Sequence, residues 1–377
     1  MPIMVNPPVV KPVRNNTETA LIFETSLGRL WFSVPSAYRD FLSSGLDAAL
    51  AALLFPAMRT GEDIVLSGDV DSLFYYHACG PLQALLRCSH PDLKPINVFA
   101  KRVGDRRPPR AKGVMTGFSR GVDSFSMIAR HYHSRLVSDL ELTHLCLNDI
   151  WAEDNDLDSA NPYVQRRFEC TRAAAEEVGL PLLLINSNVG AFYRGIRFED
   201  THTIRNTAAA MALNNGVSTY LYASGYPIRY QTPMPTGDMA RLDLIVLPLL
   251  SGTAFRATSG DAETPRIEKT RRLLDYDVAQ RHLQVCSNGV ESNCSRCTKC
   301  MRTQLALDML RGLDRFAVFD QQEYRQAKGE WLVQAEKRRG NDAFVDEIFD
   351  FAQRNGIDLA RAAKPADAGD EPHVTAA

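Results

Sequence analysis

The sequence predicts an α/β protein: a doubly wound parallel sheet, preceded by a small N-terminal α+β unit and followed by a helical region with a metal site. Three observations carry this expectation. Four apolar runs, "GVMTGF", "LTHLCLND", "LPLLLIN" and "STYLYAS", alternate with helix-period segments over 122–135, 162–178 and 201–214. Such alternation is the pattern of β–α–β units with right-handed crossovers. The first run leads into a polar turn with a glycine, "SRGVDS" at 119–124, and four cysteines crowd into residues 286–300.

Each segment has its own reason. Residues 1–17 are rich in Pro, Asn and Val without a period, and 361–377 are small and polar, so both ends are expected to be disordered. Residues 18–100 read as the α+β unit. It comprises a strand pair in "TALIFETSLGRLWFSVP", a helix over 45–58, a strand "DIVLSG", a helix over 72–87 and a strand "INVFA". The stretch 101–112, "KRVGDRRPPRAK", has six basic residues against one acidic and reads as a linker whose charge can steer phosphate-bearing ligands. Residues 113–260 form the doubly wound domain, with the apolar "LDLIVLPLL" expected as a further strand. Residues 261–360 read as helical around the cysteines, with helices over 301–312, 321–338 and 342–354.

A chain of 377 residues has room for two or three domains of roughly 150 residues. Its net charge of −2 provides no chain-wide attraction to nucleic acid or an anionic membrane, so a small-molecule substrate is expected. The basic stretch at 101–112 keeps a tRNA substrate open. No apolar run reaches the roughly 20 residues of a membrane span, and the start lacks the apolar region of a secretory signal. A reducing cytoplasmic setting follows as the expectation. The oligomeric state is left open, a homo-oligomer included.

In that setting clustered cysteines argue for metal. Cys286, Cys294, Cys297 and Cys300 have the spacing C-x7-C-x2-C-x2-C, which can wrap one tetrahedral Zn²⁺ as a closed structural site, with Asn288, Gly289 and Asn293 supplying the turns. An iron–sulfur cluster is the alternative, although the proline usual after such cysteine runs is missing. Arg296, Lys299 and Arg302 are expected to offset the thiolate charge or to face a substrate anion.

The turn "SRGVDS" has a near twin, "SGDVDS" at 67–72. In the first, Gly121 can make the turn, Ser119 and Ser124 can donate hydroxyls, Arg120 can clamp phosphate and Asp123 can hold Mg²⁺. In the twin, the carboxylate of Asp69 would oppose a phosphate, so it reads as a helix cap near Ser72. Elsewhere, "THTIRN" puts His202 and Asn206 on one helix face beside Arg205, and His202 can act as a general base or a hydrogen-bond donor to substrate. A helix cap with a surface histidine is the competing reading.

"SRGVDS" resembles the S-G-G-x-D-S loop of the ATP pyrophosphatases, the PP-loop group of adenine-nucleotide alpha hydrolase-like proteins, with Arg120 in place of the first glycine. Joined to a four-cysteine site, it resembles most the zinc-containing 7-cyano-7-deazaguanine synthase-like members, and "ASGYP" at 223–227 is similar to the segment after their fourth strand. The resemblance covers about 113–312. The whole chain resembles a broad set of bacterial proteins with the N-terminal unit, a "THTIRN"-like segment and an "NCxxCxKCxRT" signature. The resemblance implies a HUP-like nucleotide-binding domain that takes ATP and Mg²⁺, with Asn148 lining the adenine pocket and Lys269 reaching the pyrophosphate.

It further implies that a substrate oxygen attacks the alpha phosphate, releases pyrophosphate and leaves an adenylate for a second nucleophile. Asp123, Ser124, Lys269 and His202 are then the catalytic candidates. A nitrogen nucleophile is favoured because no C-x-x-C pair sits beside the loop, while Cys146 keeps sulfur transfer open. A zinc-stabilised module that binds nucleotide without turnover is the third reading.

Overall fold

Residues 3–5 and 9–13, expected within a disordered leader, are strands β1 (Ile3–Val5) and β2 (Val9–Val13) in the computed structural model, which describes residues 1–104, 111–134, 137–151, 156–157, 161–235, 237–289 and 291–359. β1 is held by β5, and β2 pairs in full with β3, from Val9 opposite Ile22 to Val13 opposite Glu18. Pairing supplies the order that the proline-rich composition concealed. The expected disorder of 361–377 lies outside the described residues.

The chain divides into two compact units, residues 1–119 with 123–264, and residues 120–122 with those from 265 onward. The first continues with β3 (Glu18–Thr25), β4 (Gly28–Pro35), α1 (Asp47–Thr60), β5 (Ile64–Asp71), α2 (Ser72–Cys79), α3 (Pro81–Ser89) and β6 (Val98–Gly104). The helix expected over 72–87 is thus two helices. Gly80 adopts φ −147°, ψ −83°, and Pro81, which has no N–H to satisfy, opens the second. Residues 101–104 of the expected linker belong to β6, and 105–110 lie outside the described residues.

The strand–helix alternation follows as β7 (Gly113–Gly117), α4 (Val122–Ile128), β8 (His144–Asp149), α5 (Pro162–Val178), β9 (Leu182–Ser187), α6 (His202–Met211) and β10 (Val217–Ala223). The apolar "LDLIVLPLL" is not a strand. It forms α7 (Asp243–Leu249), with Asp243, Val246 and Leu247 buried at helical spacing. The strand expected of it is supplied by the more polar "RATSG", β11 (Arg256–Gly260), which runs parallel to β10 from Thr219 opposite Arg256 to Ala223 opposite Gly260.

These strands make one mostly parallel eleven-stranded sheet in the order β11-β10-β7-β8-β9-β4-β3-β1-β5-β6, with β2 on β3. The N-terminal strands are therefore not a separate sheet. β4 joins β9 antiparallel through Phe32 opposite Ser187 and Ser33 opposite Asn186, and the junction is fastened by Ser187 Oγ donating to Trp31 O at 2.6 Å. A continuous apolar core follows, running from Phe23 and Phe32 through the buried face of α1 to Ala208 on α6 and Met115 on β7. The order reverses between β7 and β10, which makes the carboxyl ends of these two strands the switch point where open α/β sheets bind ligands.

The second unit carries α8 (Arg266–Arg272), α9 (Asp277–His282), α10 (Thr298–Met309), α11 (Gln321–Glu336) and α12 (Ala343–Arg354). α12 begins at an Asp342 cap that accepts from the N–H groups of Phe344 and Val345. Among the described residues no helix is long and apolar enough to cross a membrane.

Candidate functional site

A cavity of about 270 Å³ opens at the switch point. The turn after β7 contributes Ser119, Asp123 and Ser124; the end of β8 contributes Cys146 and Asn148; the end of β10 contributes Tyr220 and Tyr222. Helices close the sides with Arg167 of α5 and Asn206 of α6, and Trp151 and Phe198 form an aromatic wall. Ser119 Oγ and Ser124 Oγ stand 3.5 Å apart across the turn. α4 is braced by the buried Asp261 just beyond β11, whose carboxylate accepts from Ser126 Oγ at 2.5 Å and Arg130 Nη1 at 3.1 Å.

The unusual backbone of the turn falls on Arg120, at φ 62°, and not on Gly121. This left-handed conformation is one that glycine adopts freely, so Arg120 keeps glycine's geometry while adding a side chain. Arg120 and Gly121 are not among the walls of the cavity and group with the second unit, where Arg120 O accepts from the Gln284 N–H at 2.9 Å. The guanidinium of Arg120 is buried, at 6% exposure for the residue. Lys269 also belongs to the second unit, where it is buried on α8.

Asn148 at the end of β8 and Asn206 on α6 meet, a contact the sequence does not announce. Asn148 Nδ2 donates to Asn206 Oδ1 at 2.8 Å, while Asn148 Oδ1 is buried and accepts no hydrogen bond among the described residues. His202 departs from its expected place. It is not a wall of the cavity but lies behind one, with Nδ1 2.6 Å from the Tyr222 hydroxyl and Nε2 3.2 Å from Asp238 Oδ1. Both ring nitrogens are engaged, which suits a positioning role for Tyr222 better than proton abstraction from a ligand. Arg205 beside it is buried with its guanidinium 4.1 Å from the Tyr193 ring centre, a packing role.

Arg167, Trp151 and Phe198 carry no mark in the sequence. Arg167 is half-buried and its guanidinium makes no hydrogen bond or ion pair among the described residues; burial lowers its pKa, against the raising effect of Tyr163 and Asp149. A guanidinium stripped of water at a cavity wall favours an anion. Trp151 stacks on Phe198 with centroids 3.5 Å apart and planes at 26°. Both lie outside the periodic segments, where pattern reading has no purchase. Cys146 does face the cavity, but burial pushes its thiol up to about 12, so it is protonated at neutral pH.

The twin "SGDVDS" is built differently. Residues 67–71 are part of β5, Asp69 pairs with Arg102 of the neighbouring β6 at 2.7 Å, and Asp71 caps α2 by accepting from the Leu73 and Phe74 N–H groups at 3.0 and 3.1 Å. No open phosphate loop exists there.

In the second unit, the sulfurs of Cys286, Cys294, Cys297 and Cys300 lie within 4.8 Å of one another, with Cys286 and Cys297 4.0 Å apart. Tetrahedral zinc bonded at about 2.3 Å sets sulfurs about 3.8 Å apart, close to this arrangement. Sulfurs this close enclose one ion and leave no room for a multi-iron cluster. Asn293 shapes the loop, its Oδ1 accepting from Val285 and Cys286 N–H and its Nδ2 donating to Leu283 O. Backbone N–H groups of Asn288 and Cys297 point at Cys286 Sγ and Cys294 Sγ, each at 3.3 Å, the support that thiolates need. Arg296 pairs with Glu323, and Arg302 lies over the Phe344 ring at 4.1 Å. The four cysteines can therefore hold a metal ion such as zinc.

Comparison of the chain with protein-family models, with curated proteins and with solved structures gives no match.

Proposed function

We propose that the first unit binds ATP in the switch-point cavity and uses it to adenylate a small molecule, releasing pyrophosphate. One observation carries this reading: Ser119, Asp123 and Ser124 of the phosphate-loop-like turn share a cavity with the unused carbonyl of Asn148. The serine hydroxyls donate to phosphate oxygens, and Asn148 Oδ1 accepts from an exocyclic amine of the base. Mg²⁺ held by Asp123 neutralises phosphate charge when bound. Arg167 supplies a cation on the same wall.

A carboxylate or amide oxygen of the acceptor then forms a bond to the alpha phosphorus as the bond to the pyrophosphate oxygen breaks. The resulting adenylate yields AMP when a nitrogen nucleophile takes its place at the acceptor carbon. The protein contributes alignment and fixed charge. Sulfur transfer is the weaker reading, since the cavity's cysteine, Cys146, holds its proton. A binding module without turnover is disfavoured by the acidic Asp123 in the wall, which a pure anion site would omit. The cysteine site is proposed as a closed, structural zinc site that stabilises the second unit, and the first unit as a HUP-like nucleotide-binding domain.

The test is pyrophosphate and AMP release from ATP with magnesium, across small carboxylates and amides with ammonium or sulfide present. Release stimulated by an acceptor and lost in Asp123→Ala supports the reading. Unchanged release in Asp123→Ala sinks the catalytic assignment, and ATP binding without release across the panel favours the binding module.

A further inference from the structure

The parallel strands that end at the ATP cavity begin at a second one. Near Val114 of β7, Thr143 before β8, Ser218 and Thr219 of β10 and Arg256 of β11 lies a cavity of about 550 Å³. Val114 here and Gly117 at the first cavity are three residue steps apart on β7, a distance of about 10 Å along a strand. The two cavities thus occupy opposite edges of the same sheet.

Arg256 is the central feature. The residue is half-buried, its Nε is sealed from solvent, and among the described residues it makes no hydrogen bond or ion pair. A guanidinium nitrogen that has lost its water without gaining an acceptor is an incomplete interaction, and the two terminal nitrogens of the same group, which are not sealed, form a fork that matches two oxygens of a carboxylate, phosphate or sulfate. Ser218 is the second feature. The register of β10 against β7 shifts between Val217 and Thr219, so Ser218 is the additional residue of a bulge. Bulges re-aim side chains, and this serine, 5% exposed, is turned into the cavity wall. Exposed Lys112 adds a second cation. Asp139 and Glu141 also line the cavity, and their charge disfavours polyanions, which limits the ligand to a group of low charge.

We propose that this cavity is a binding site for a small oxyanion, a single phosphoryl, sulfate or carboxylate group, gripped by Arg256 and Ser218. The inference is independent of the ATP reading, because it uses a different cavity and different residues. It adds to the sheet a second ligand site remote from the "SRGVDS" turn.

The experiment is calorimetric titration of the full chain with inorganic phosphate, sulfate and acetate at constant ionic strength. Arg256→Met, Arg256→Lys and Ser218→Ala are compared with Arg167→Met, which alters the other cavity. Arg256→Met is expected to weaken binding by at least about tenfold and Ser218→Ala by about threefold, and the component of binding that Arg256→Met removes is expected to persist in Arg167→Met. Arg256→Lys keeps the charge but loses the fork, so a folded Arg256→Lys protein with weakened binding supports the site even where Arg256→Met fails to fold. Phosphate and sulfate binding without acetate identifies a phosphoryl-type ligand; acetate binding of equal strength identifies a carboxylate. Unchanged affinity in the Arg256 variants, loss confined to Arg167→Met, or no binding of any of the three anions overturns the proposal.

Discussion

Asn148 at the end of β8 and Asn206 on α6 are locked together: Asn148 Nδ2 donates to Asn206 Oδ1, and Asn206 Nδ2 donates back along its own helix to His202 O, each at 2.8 Å. This chain of bonds decides the orientation of both amides. It leaves Asn148 Oδ1 as the one amide oxygen of the pair without a donor, held in the cavity wall.

If that oxygen reads the base, Asn148→Ala removes the contact and Asn206→Ala lets the Asn148 amide rotate away from it. Each is expected to weaken ATP binding about tenfold, the effect of one hydrogen bond of roughly 1.5 kcal/mol. The double variant should lose little more than either single one, because both act on the same contact. Nucleotide titration of the three proteins measures this. Additive losses would mean that the two asparagines bind separately.

The cysteines give a prediction by chemical labelling. Burial raises the Cys294 thiol, but the N–H groups of Arg296 and Cys297 and the neighbouring thiols outweigh it and bring it down to about 7, whereas burial pushes Cys146 up to about 12. In protein stripped of metal by a chelator, alkylation near pH 7 should therefore reach Cys294 early and Cys146 last, as read by mass spectrometry. Zinc added beforehand should protect all four clustered cysteines. Cys297→Ser should reduce the bound metal below one ion per chain and destabilise the second unit, since structural zinc contributes on the order of 10 kcal/mol to the fold around it. A folded Cys297→Ser protein that retains one ion would rule out the four-sulfur site.

The parts legible in the sequence were those with a local signature. Alternation marked β7 to β10, and cysteine spacing marked the cluster that can hold a metal ion. "LDLIVLPLL" misled because a short apolar run has no unambiguous period, and only the burial of Asp243, Val246 and Leu247 reveals the helix. β11 was hidden by its polar "RATSG", which becomes a strand through pairing with β10. Arg167 and Trp151 were hidden for another reason: a wall residue is defined by what it faces after folding, and neither side chain is unusual where it stands in the chain.

Asp71 shows how the twin motif is used. Its carboxylate caps α2 and also accepts the Thr253 N–H at 2.9 Å and the Thr253 hydroxyl, tying β5 to the turn before β11. Loss of a cap and of these bonds in Asp71→Ala should cost about 2–4 kcal/mol. Gly252→Ala should also destabilise, because a Cβ there would stand 2.6 Å from Asp71 Cγ, and Asp71 is pinned on both sides. Urea unfolding measures both losses. A neutral Gly252→Ala would mean that the turn yields easily and that the clamp is loose.

His202 and Asp238 supply a dependence on pH. Burial raises the Asp238 carboxyl, yet the His202 hydrogen bond and charge, with help from the Ala240 N–H and the Tyr226 hydroxyl, leave it below the usual carboxylate value. The His202 ring bridges the Asp238 carboxylate at Nε2 and, at Nδ1, the hydroxyl of Tyr222, whose phenol burial keeps protonated. Because the folded carboxyl titrates below the unfolded one, its contribution to stability is complete above the unfolded value of about 3.9 and is lost as the pH falls through the folded value. Asp238→Asn should therefore be less stable than the wild type at pH 7, with the gap closing in acid. The gap should stay modest, since the Asp238 side chain is 28% exposed and water screens part of the interaction. Denaturant titrations of both proteins at pH 7 and near pH 3 decide the matter: an equal gap at the two pH values would assign the effect to packing and remove the charge of Asp238 from the positioning of Tyr222.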